Sequence, residues 1–333
     1  MPRPPITILD IAASLGISKT AVSAALSGTG RVSATTRERV LAEADRLGYV
    51  TNRAAQRLRG GEHGAIGLRV PTDLQSLAFY MEFAFGVADF AAEAGRDLVL
   101  FTGDPHRSSR ELPVDGLLVL DPVRDDPFAV LATSAKLPWV SVGPYTGAGA
   151  EGLAGSIAVD HHALTQRVLD RLQRSGSGRP ALVAIDPARA PLWGAQVLSG
   201  YADWCATHAV APLVLDCAVE PSDARLQELV GAVASDGDHD AVVWVAQGLA
   251  ARALALADRD TPADDSRTLR MATLAGDLRA ESGVADLVSA DLRPRAYGHA
   301  AAEVLERALS GGPERLDHVT HRAEIVGPLG HGH

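Results

Sequence analysis

The sequence predicts an all-α N-terminal head followed by a larger α/β body with two lobes. Residues 1–61 contain short amphipathic helical patterns separated by capping residues. From residue 62 onward, short apolar strands alternate with helical segments, which indicates a parallel, doubly wound sheet. That alternation begins again at "RPALVAID", residues 179–186. The body is therefore expected to contain two such sheets, one in each lobe.

Three helices are predicted in the head, at residues 8–15, 19–26 and 34–47. Each follows a hydroxyl side chain that can accept a hydrogen bond from the first helical turn, and two end at a glycine that adopts the left-handed conformation without a steric penalty. The capping residues are Thr7, Ser18 and Ser33, and the terminating glycines are Gly16 and Gly48. The residues expected to face inward are Ile8, Ile11, Ala12, Leu15, Val22, Ala25, Leu26, Val40, Leu41, Ala44 and Leu47.

The first two helices form a helix-turn-helix pattern, because a short turn containing glycine joins them. In such a pair the second helix lies in the DNA major groove and its N-terminal residues contact base edges. The outward side chains of this helix are short or cationic, so the helix can approach DNA closely and its hydroxyls can reach phosphates. These side chains are Lys19, Thr20, Ser23, Ala24 and Ser27. From this pattern alone, a generic three-helix bundle with a solvated polar face remains the alternative.

Charge is distributed unevenly along the chain, which has a net charge of -10. Residues 1–61 contain nine Lys and Arg against four Asp and Glu, a net charge of +5. The other residues contain 22 basic and 37 acidic side chains, a net charge of -15. A basic head on an acidic body indicates an anionic partner for the head only.

The segment "TILDIAASLGISKTAVSAALSGTGRVSATTRERVLAEADRLGYVTNRAAQRLRGG" resembles the head of the lactose-repressor (LacI/GalR) family of bacterial transcription regulators. The resemblance implies that Lys19 and Thr20 occupy the first two base-reading positions. Ala24 occupies the third, where it can contact only a thymine methyl group. Serines 18, 23 and 33 match phosphate-contacting positions. The complete set of expected DNA-binding residues is Thr7, Ser18, Lys19, Thr20, Ser23, Ala24, Ser27, Ser33, Asn52, Ala55 and Leu58.

The resemblance further implies a hinge helix within residues 51–61, after a DNA-binding domain at residues 1–50. Leu58 matches the leucine that two subunits of the family insert into the minor groove at the centre of the operator. An apolar wedge of this kind unstacks and kinks a base step at a cost of a few kcal/mol, which extra contacts offset. Ordinary core burial is the alternative, but Arg57, Arg59, Gly60 and Gly61 give Leu58 little core to enter.

For residues 62–333 the resemblance implies a periplasmic-binding-protein-like domain for effector binding and dimerisation. Its chain would cross between the lobes near Val159–Asp160, Ser289–Asp291 and His318–Thr320. The first lobe is then expected to comprise about residues 62–159 and 291–318. The second lobe is expected to comprise residues 160–290 and 319–333. A ligand cleft is expected between the two lobes.

The expected cleft departs from the family pattern at Val197, Ala246 and Leu292, where relatives have polar groups. The residues expected to bind an effector are Phe79, Asp160, Trp193, Gln196, Gln247 and Asp277. Among them, Trp193 and Phe79 can form a flat apolar wall suited to a ring with few hydroxyls. Either the effector is unlike a simple free sugar, or the ligand site is degenerate.

Several other functions are not expected from this sequence. It has no nucleophile–base constellation, no phosphate-binding loop and no metal-ligand spacing, so we expect no enzyme activity, no cofactor and no metal. There is no apolar run long enough for a membrane span and no N-terminal apolar segment, which indicates a cytoplasmic protein. Cys205 and Cys217 are expected to be reduced thiols.

The sequence thus predicts a sequence-specific DNA-binding regulator, a repressor, acting as a homodimer on a pseudo-palindromic operator in double-stranded DNA. A small-molecule effector is expected to modulate its affinity for the operator. The alternatives are a solute-binding protein with the same body fold, an effector-independent regulator with a degenerate cleft, and a two-lobed enzyme. The missing leader and the basic head argue against a secreted solute-binding protein.

Overall fold

The computed structural model describes residues 6–27, 32–49, 63–71, 78–103, 112–186, 190–260, 269–276, 281, 284, 287–311 and 317–327. The chain divides into two compact units, Met1–Glu62 and His63–His333. The predicted hinge helix, with Asn52, Ala55 and Leu58, lies outside the described residues, as does Asp277. The role of each of these four residues remains a prediction.

The head contains the three predicted helices: α1 (Ile8–Leu15), α2 (Lys19–Ser27) and α3 (Ala34–Leu47). The predicted caps at Ser18 and Ser33 form, whereas Thr7 makes a different contact with the first turn of α1. The hydroxyl of Thr7 donates to Asp10, Ser18 Oγ accepts from the backbone N–H of Ala21, and Ser33 Oγ accepts from that of Thr36. The two terminating glycines at positions 16 and 48 have φ values of 66° and 67°, as predicted for left-handed ends.

The core of the head is formed by one apolar stripe from each helix. Its buried residues are Ile11, Ala12, Val22, Ala25, Val40 and Ala44. The prediction that Leu41 faces inward is wrong, since 47% of this residue is exposed. Val40, Ala44 and Leu47 already provide the stripe that packs against α1 and α2, and Leu41 lies about 100° further round the helix.

A polar contact joins α1 to α3 on the surface of the head. Ser14 donates a hydrogen bond to Glu43, and the guanidinium of Arg46 forms an ion pair with the same carboxylate at 2.6 Å. The hydrogen bonds from Arg46 and from Ser14 lower the pKa of Glu43 to about 2. The carboxylate is therefore ionised at neutral pH and is bonded to both helices.

The first lobe of the body is built on a six-stranded sheet with the order β11-β5-β4-β3-β1-β2, and all of its strands are parallel. The strands are β1 (Ala65–Arg69), β2 (Asp97–Phe101), β3 (Gly116–Leu120), β4 (Trp139–Val142), β5 (Leu153–Val159) and β11 (Asp317–His321). The helices are α4 (Ala78–Glu93), α5 (Pro127–Ser134) and α10 (Pro294–Ser310), with a short 3-10 helix at Ala150–Gly152.

The second lobe is built on a six-stranded sheet with the order β12-β10-β9-β8-β6-β7. Its strands are β6 (Pro180–Ile185), β7 (Val214–Cys217), β8 (Ala241–Trp244), β9 (Arg270–Thr273), β10 (Val288–Asp291) and β12 (Glu324–Val326). The helices are α6 (His161–Arg174), α7 (Gly194–His208), α8 (Asp223–Asp236) and α9 (Leu249–Asp260). The two predicted sheets are thus present, and Cys205 and Cys217 are both buried and free.

One strand departs from the predicted parallel arrangement, because β12 pairs with β10 in the antiparallel direction. β10 leaves the second lobe at its carboxyl end, and β11 returns the chain to that same side. β12 therefore enters the second sheet beside the carboxyl end of β10 and must run in the opposite direction. A strand that enters from the crossover side can pair with β10 only in the antiparallel direction.

The chain passes between the lobes three times. It leaves the first sheet after Val159, returns after Asp291 and crosses again at residues 322–323. The last crossing was expected near His318–Thr320, but these residues belong to β11 of the first sheet and the crossing comes two residues later. The sequence does not show clearly where this crossing lies, because only two residues separate the short strands β11 and β12.

Helices α4 and α10 pack closely against each other through two glycines. A Cβ atom added to Gly86 would lie 1.9 Å from the carbonyl oxygen of Arg295, and one added to Gly298 would lie 2.0 Å from that of Phe83. No side chain fits in either place. This close contact fixes α4, and with it the position of Phe79 and Tyr80 at the helix N-terminus.

Candidate DNA-binding surface and ligand cavity

The N-terminal turn of α2 is exposed. Between α1 and α2 the helix axis turns by 112°, which lies within the range of helix-turn-helix pairs. Lys19 and Thr20 are exposed at the start of α2, and Ser18 is held there as its cap. Val22 and Ala25 are buried on the opposite side of the same helix. The arrangement leaves an ammonium group and a hydroxyl accessible at the start of α2.

The other predicted DNA contacts in the described part of the head lie on α2 and at the starts of α1 and α3. Ser23 and Ala24 are half-buried on α2, and Ser33 is exposed at the start of α3. Thr7 is exposed, but its backbone N–H and hydroxyl both donate to Asp10 at 2.7 Å. Only the backbone of Ser27, at the end of α2, is described.

A cavity in the body lies at the carboxyl ends of both sheets, where the two lobes meet. In open α/β sheets, ligands bind at this end, next to the point where the strand order reverses. In both sheets the order reverses at the first strand, β1 in one and β6 in the other. The cavity is lined by Phe79, Tyr80, Asp121, Gly143, Val159, His161, Ile185, Trp193, Val219, Val245, Ala246, Gln247, Leu274, Ala275, Leu292 and Tyr297.

The cavity volume is about 50 Å³, which is enough for a few water molecules. Pockets for drug-sized ligands measure about 300–1,000 Å³. The lobes are therefore close together in this conformation, and a larger ligand requires them to separate or the aromatic side chains to move.

Asp121 is the only carboxylate that lines the cavity within the described part of the chain. It directly follows β3, and its carboxylate accepts a hydrogen bond from the hydroxyl of Tyr80 at 2.7 Å and another from the indole of Trp193. Burial raises the pKa of Asp121 to about 6, although these two hydrogen bonds and Arg69 oppose the shift. Burial and the charge of Asp121 together raise the pKa of Tyr80 well above its usual range.

The nearby Arg69 is bonded to other groups. Its guanidinium donates to the carbonyl oxygen of Leu120 at 3.1 Å and lies 3.2 Å from the fully buried carboxylate of Asp126. Asp126 also caps α5 by accepting from the backbone N–H of Phe128. This group of one cation and two carboxylates therefore leaves one negative charge uncompensated when Asp121 is ionised.

His161 lies on the second-lobe side of the cavity, as the first residue of α6. Its ring stacks on that of Trp193, with centroids 4.6 Å apart and planes inclined by 20°. Burial lowers the pKa of His161 to about 4, so the imidazole is neutral at pH 7. Its Nδ1 atom is buried and has no hydrogen-bond partner.

Gln247 bridges the two lobes at the edge of the cavity. Its Oε1 atom accepts from the backbone N–H of Phe79 in the first lobe at 3.0 Å, and its Nε2 atom donates to the carbonyl oxygen of Gly276 in the second at 3.1 Å. Both ends of this amide are therefore occupied by the protein.

Three of the six predicted effector residues line the cavity: Phe79, Trp193 and Gln247. Asp160 is exposed and caps α6 by accepting from the backbone N–H of Ala163. Gln196 accepts from the backbone N–H of His161 at 3.3 Å and is not among the lining residues.

Of the three positions where the sequence departs from the family pattern, two line the cavity. Ala246 and Leu292 lie in its wall, so apolar groups stand there. Val197 is 1% exposed and packs in the main core beneath α7, so it was wrong to place it at the ligand. The rotation of α7 against the sheet decides whether the Val197 side chain faces the core or the cavity. Sequence spacing alone does not define that rotation.

Sequence reasoning missed the polar and aromatic residues Tyr80, Asp121, His161 and Tyr297. A signal for Asp121 was present, because it directly follows the buried strand "GLLVL", and the carboxyl ends of parallel strands form ligand sites. His161 directly follows the first lobe crossing and begins α6.

The described residues contain no group of three or more His, Cys, Asp or Glu that could hold a metal ion. No single helix among them has both the length and the apolar composition to cross a membrane. The pair α1 and α2 meets that criterion jointly, with the 112° bend between them.

Residues 7–52 match the family described as "Bacterial regulatory proteins, lacI family". The Maltose regulon regulatory protein MalI of Escherichia coli (strain K12) is 47% identical over 98 residues, covering 29% of this chain and 28% of that protein. The HTH-type transcriptional regulator RafR of Escherichia coli is 34% identical over 189 residues, covering 54% of this chain and 55% of that protein. The chain therefore spans from 28% to 55% of the length of these relatives.

Two solved structures resemble almost the whole chain. One is the lac repressor dimer bound to operator and the anti-inducer ONPF, with a TM-score of 0.78, 18% identity and coverage of 98% of this chain and 99% of that chain. The other is a complex of the transcriptional regulator CelR with cellobiose, with a TM-score of 0.65, 23% identity and coverage of 99% and 100%. At these identities the similarity establishes the fold.

Proposed function

We propose that this chain is a member of the lacI family of bacterial regulatory proteins and a sequence-specific DNA-binding transcriptional regulator, acting as a repressor. The observation that carries the proposal is the exposed N-terminal turn of α2, with Lys19 and Thr20 accessible and the helix-turn-helix geometry formed. In this role Lys19 donates to guanine, while the hydroxyls around it bind phosphates and fix the orientation of the head. A regulator that binds genomic DNA works in the cytoplasm.

The hinge and the expected phosphate contacts extend this proposal. Leu58 would enter the minor groove at the operator centre, flanked by the rest of residues 51–61. Thr7, Ser18, Ser23, Ser27 and Ser33 would surround the base-reading turn, and Asn52 and Ala55 would belong to the hinge contact. These roles rest on the resemblance and on the exposed hydroxyls of the head.

We further propose that the protein acts as a homodimer. Met81 and Phe85 lie one turn apart on α4, and they are 53% and 48% exposed. Large apolar side chains exposed side by side on a helix favour a protein–protein contact. Isologous pairing through this surface would place two heads on the two halves of a pseudo-palindromic operator.

The proposed regulation is linkage between the body and the DNA. The cavity has walls from both lobes, so a ligand that favours one lobe arrangement shifts the population of the conformation that binds DNA. The proposed effector is not a simple free sugar, because a sugar needs several convergent donors and acceptors and the cavity wall is largely apolar. Calorimetry with a panel of mono- and disaccharides tests this point, and micromolar binding of any of them contradicts it.

The small cavity volume favours a second candidate, a regulator that needs no effector. In that case the apolar contact between the lobes is permanent and the cleft is degenerate. A thermal-shift survey of metabolites distinguishes the two, since only a working site produces a concentration-dependent rise in Tm.

The experiment that tests DNA binding begins with selection of binding sites from random duplexes by the full chain. Affinity for the selected site is then measured by fluorescence anisotropy for the full chain and for the fragment 63–333. We expect binding only by the full chain, with affinity falling steeply as salt rises, because phosphate contacts release counterions. Equal binding by the fragment would contradict the proposal.

A further inference from the structure

We infer that the cavity between the lobes binds an organic cation, an amine or ammonium compound, with Asp121 as its counter-ion and Tyr80, Trp193 and Tyr297 as aromatic walls. The inference names the chemical class of the proposed effector and therefore rests on the proposed function. The observations that carry it are the isolated carboxylate in the cavity, the neutral groups around it and the aromatic faces.

The first observation is the charge of the cavity. Among the described residues that line it, Asp121 is the only carboxylate and there is no lysine or arginine. Its hydrogen-bond donors, Tyr80 and Trp193, are neutral. Arg69, the nearest cation, is paired with Asp126. A ligand cation would supply the missing opposite charge, whereas an anion would meet uncompensated repulsion in surroundings with little water.

The second observation is the aromatic lining of the cavity. Tyr80, Trp193, Tyr297 and Phe79 all line the cavity, and the rings of Phe79 and Tyr80 meet edge to face at 5.2 Å. Aromatic faces attract ammonium groups through the ring quadrupole, most strongly where water is excluded. The same apolar faces leave sugar hydroxyls without partners. The wall therefore selects a cation over a polar neutral ligand.

The neutral state of His161 supports the same ligand class. Its buried imidazole lines the cavity and adds no positive charge at pH 7. Its unpartnered Nδ1 atom can accept a hydrogen bond from an ammonium N–H when the lobes adjust. The site thus offers a carboxylate, one neutral acceptor and aromatic faces, and each of these favours a donor that carries positive charge.

The size of the cavity limits the group that binds Asp121. A volume of about 50 Å³ holds a primary or methylated ammonium group without a large rearrangement. A ring attached to it would separate the lobes or displace the stacked pair of His161 and Trp193. Binding of a larger cation would therefore also change the lobe arrangement.

The test uses the full chain and three matched probes: phenethylamine as the cation, 2-phenylethanol as its neutral counterpart and 3-phenylpropionate as the anion. Binding is measured by calorimetry at neutral pH and millimolar concentration. We expect the cation to bind at least about tenfold more tightly than the alcohol, since a desolvated cation–π contact contributes about 2 kcal/mol and about 1.4 kcal/mol corresponds to tenfold. The anion should not bind.

Two variants give the matched comparison. Asp121→Asn removes the charge but keeps an oxygen acceptor, and Asp125→Asn makes the same change at an exposed position in the same loop. Both native residues have left-handed backbones, with φ of 45° and 55°, which asparagine tolerates. We expect Asp121→Asn to lose the preference for the cation and Asp125→Asn to retain it.

Equal affinity for the alcohol and the amine, no binding of the amine, or an unchanged preference in Asp121→Asn would each overturn the inference. Operator binding without any probe is measured in parallel on the same protein. If the unmodified chain does not bind the operator, the proposed function is contradicted. Calorimetry reports on the cation site independently of DNA, so the two failures can be told apart.

Discussion

The side chain of Gln247 in the second lobe accepts a hydrogen bond from the backbone N–H of Phe79 in the first lobe, at 3.0 Å. The other end of the same amide donates to the carbonyl oxygen of Gly276 at 3.1 Å. Phe79 is the second residue of α4, where backbone N–H groups have no partner within the helix. One glutamine thus caps a helix of one lobe while it is anchored in the other.

We expect Gln247→Ala to loosen the closed arrangement of the lobes. Loss of both hydrogen bonds should lower the free energy of unfolding by about 1–2 kcal/mol and raise the hydrogen-exchange rate of the Phe79 amide. Small-angle scattering should show a larger radius of gyration. Gln173→Ala, at an exposed position on α6, is the matched control and should leave all three measurements unchanged. An unchanged exchange rate at Phe79 would show that the bridge does not hold the lobes.

A pair of glycine-to-alanine substitutions should have opposite effects on stability. In Gly86→Ala the new methyl group would lie 1.9 Å from the carbonyl oxygen of Arg295, so α4 and α10 must separate. We expect a loss of at least about 1–3 kcal/mol, the usual cost of overpacking a core. Gly231→Ala, at an exposed position within α8 where nothing lies within 4 Å, should instead stabilise by about 0.5–1 kcal/mol. Thermal or urea unfolding measures both, and equal effects would refute the packing argument.

The elements that could be predicted from the sequence are those with a strong local signal. The caps Ser18 and Ser33 and the left-handed ends Gly16 and Gly48 depend on residues within one helical turn, so the ends of the three helices were predictable from the sequence. Leu41 was the exception, because which side of a helix is buried depends on the neighbouring helices.

The cavity could be predicted only in part, because it is assembled from residues far apart in sequence. Phe79 and Gln247 are 168 positions apart, and their contact depends on how the two lobes meet. Asp121 could be placed at the end of a strand, but its burial and its contact with Tyr80 follow from the position of α4. The direction of Val197 depends in the same way on the packing of α7.

Lys19→Ala should relax base preference at one position in each operator half-site. A lysine contact to guanine O6 and N7 contributes about 1–3 kcal/mol of discrimination, and alanine removes both the donor and the charge. Binding-site selection on the variant measures the change. Arg124→Ala, at an exposed position of the body, should leave the selected sequence unchanged. If Lys19→Ala selects the same sequence as the unmodified protein, Lys19 does not read a base.

Phe85→Glu should shift the protein from dimer to monomer. Each isologous interface contains the substituted residue twice, so two carboxylates would be brought into an apolar contact. Sedimentation measures the mass, and operator affinity should fall with it. Leu100→Glu, at a position 53% exposed on β2, should leave the dimer intact. A dimer that persists in Phe85→Glu would place the interface elsewhere, and a stable tetramer of the unmodified chain would contradict the dimer itself.

Cation binding in the cavity should strengthen as pH rises, because Asp121 must be ionised to pair with the ligand. Burial raises the pKa of this carboxyl to about 6, so at about pH 5 most molecules carry a proton that the ligand must displace. We expect affinity for phenethylamine to be about tenfold higher at pH 7.5 than at pH 5, the ratio of the ionised fractions.

The other groups around Asp121 should add little to this pH dependence. Burial keeps Tyr80 and Tyr297 neutral by raising the pKa of each phenol, and it lowers the pKa of His161 to about 4, below the range tested. Arg69 faces Asp121 as a cation paired with Asp126. Calorimetry in buffers of different ionisation enthalpy should therefore detect proton release on binding at about pH 5 and almost none at pH 7.5. A flat profile, or the same profile in Asp121→Asn, would show that another group binds the amine.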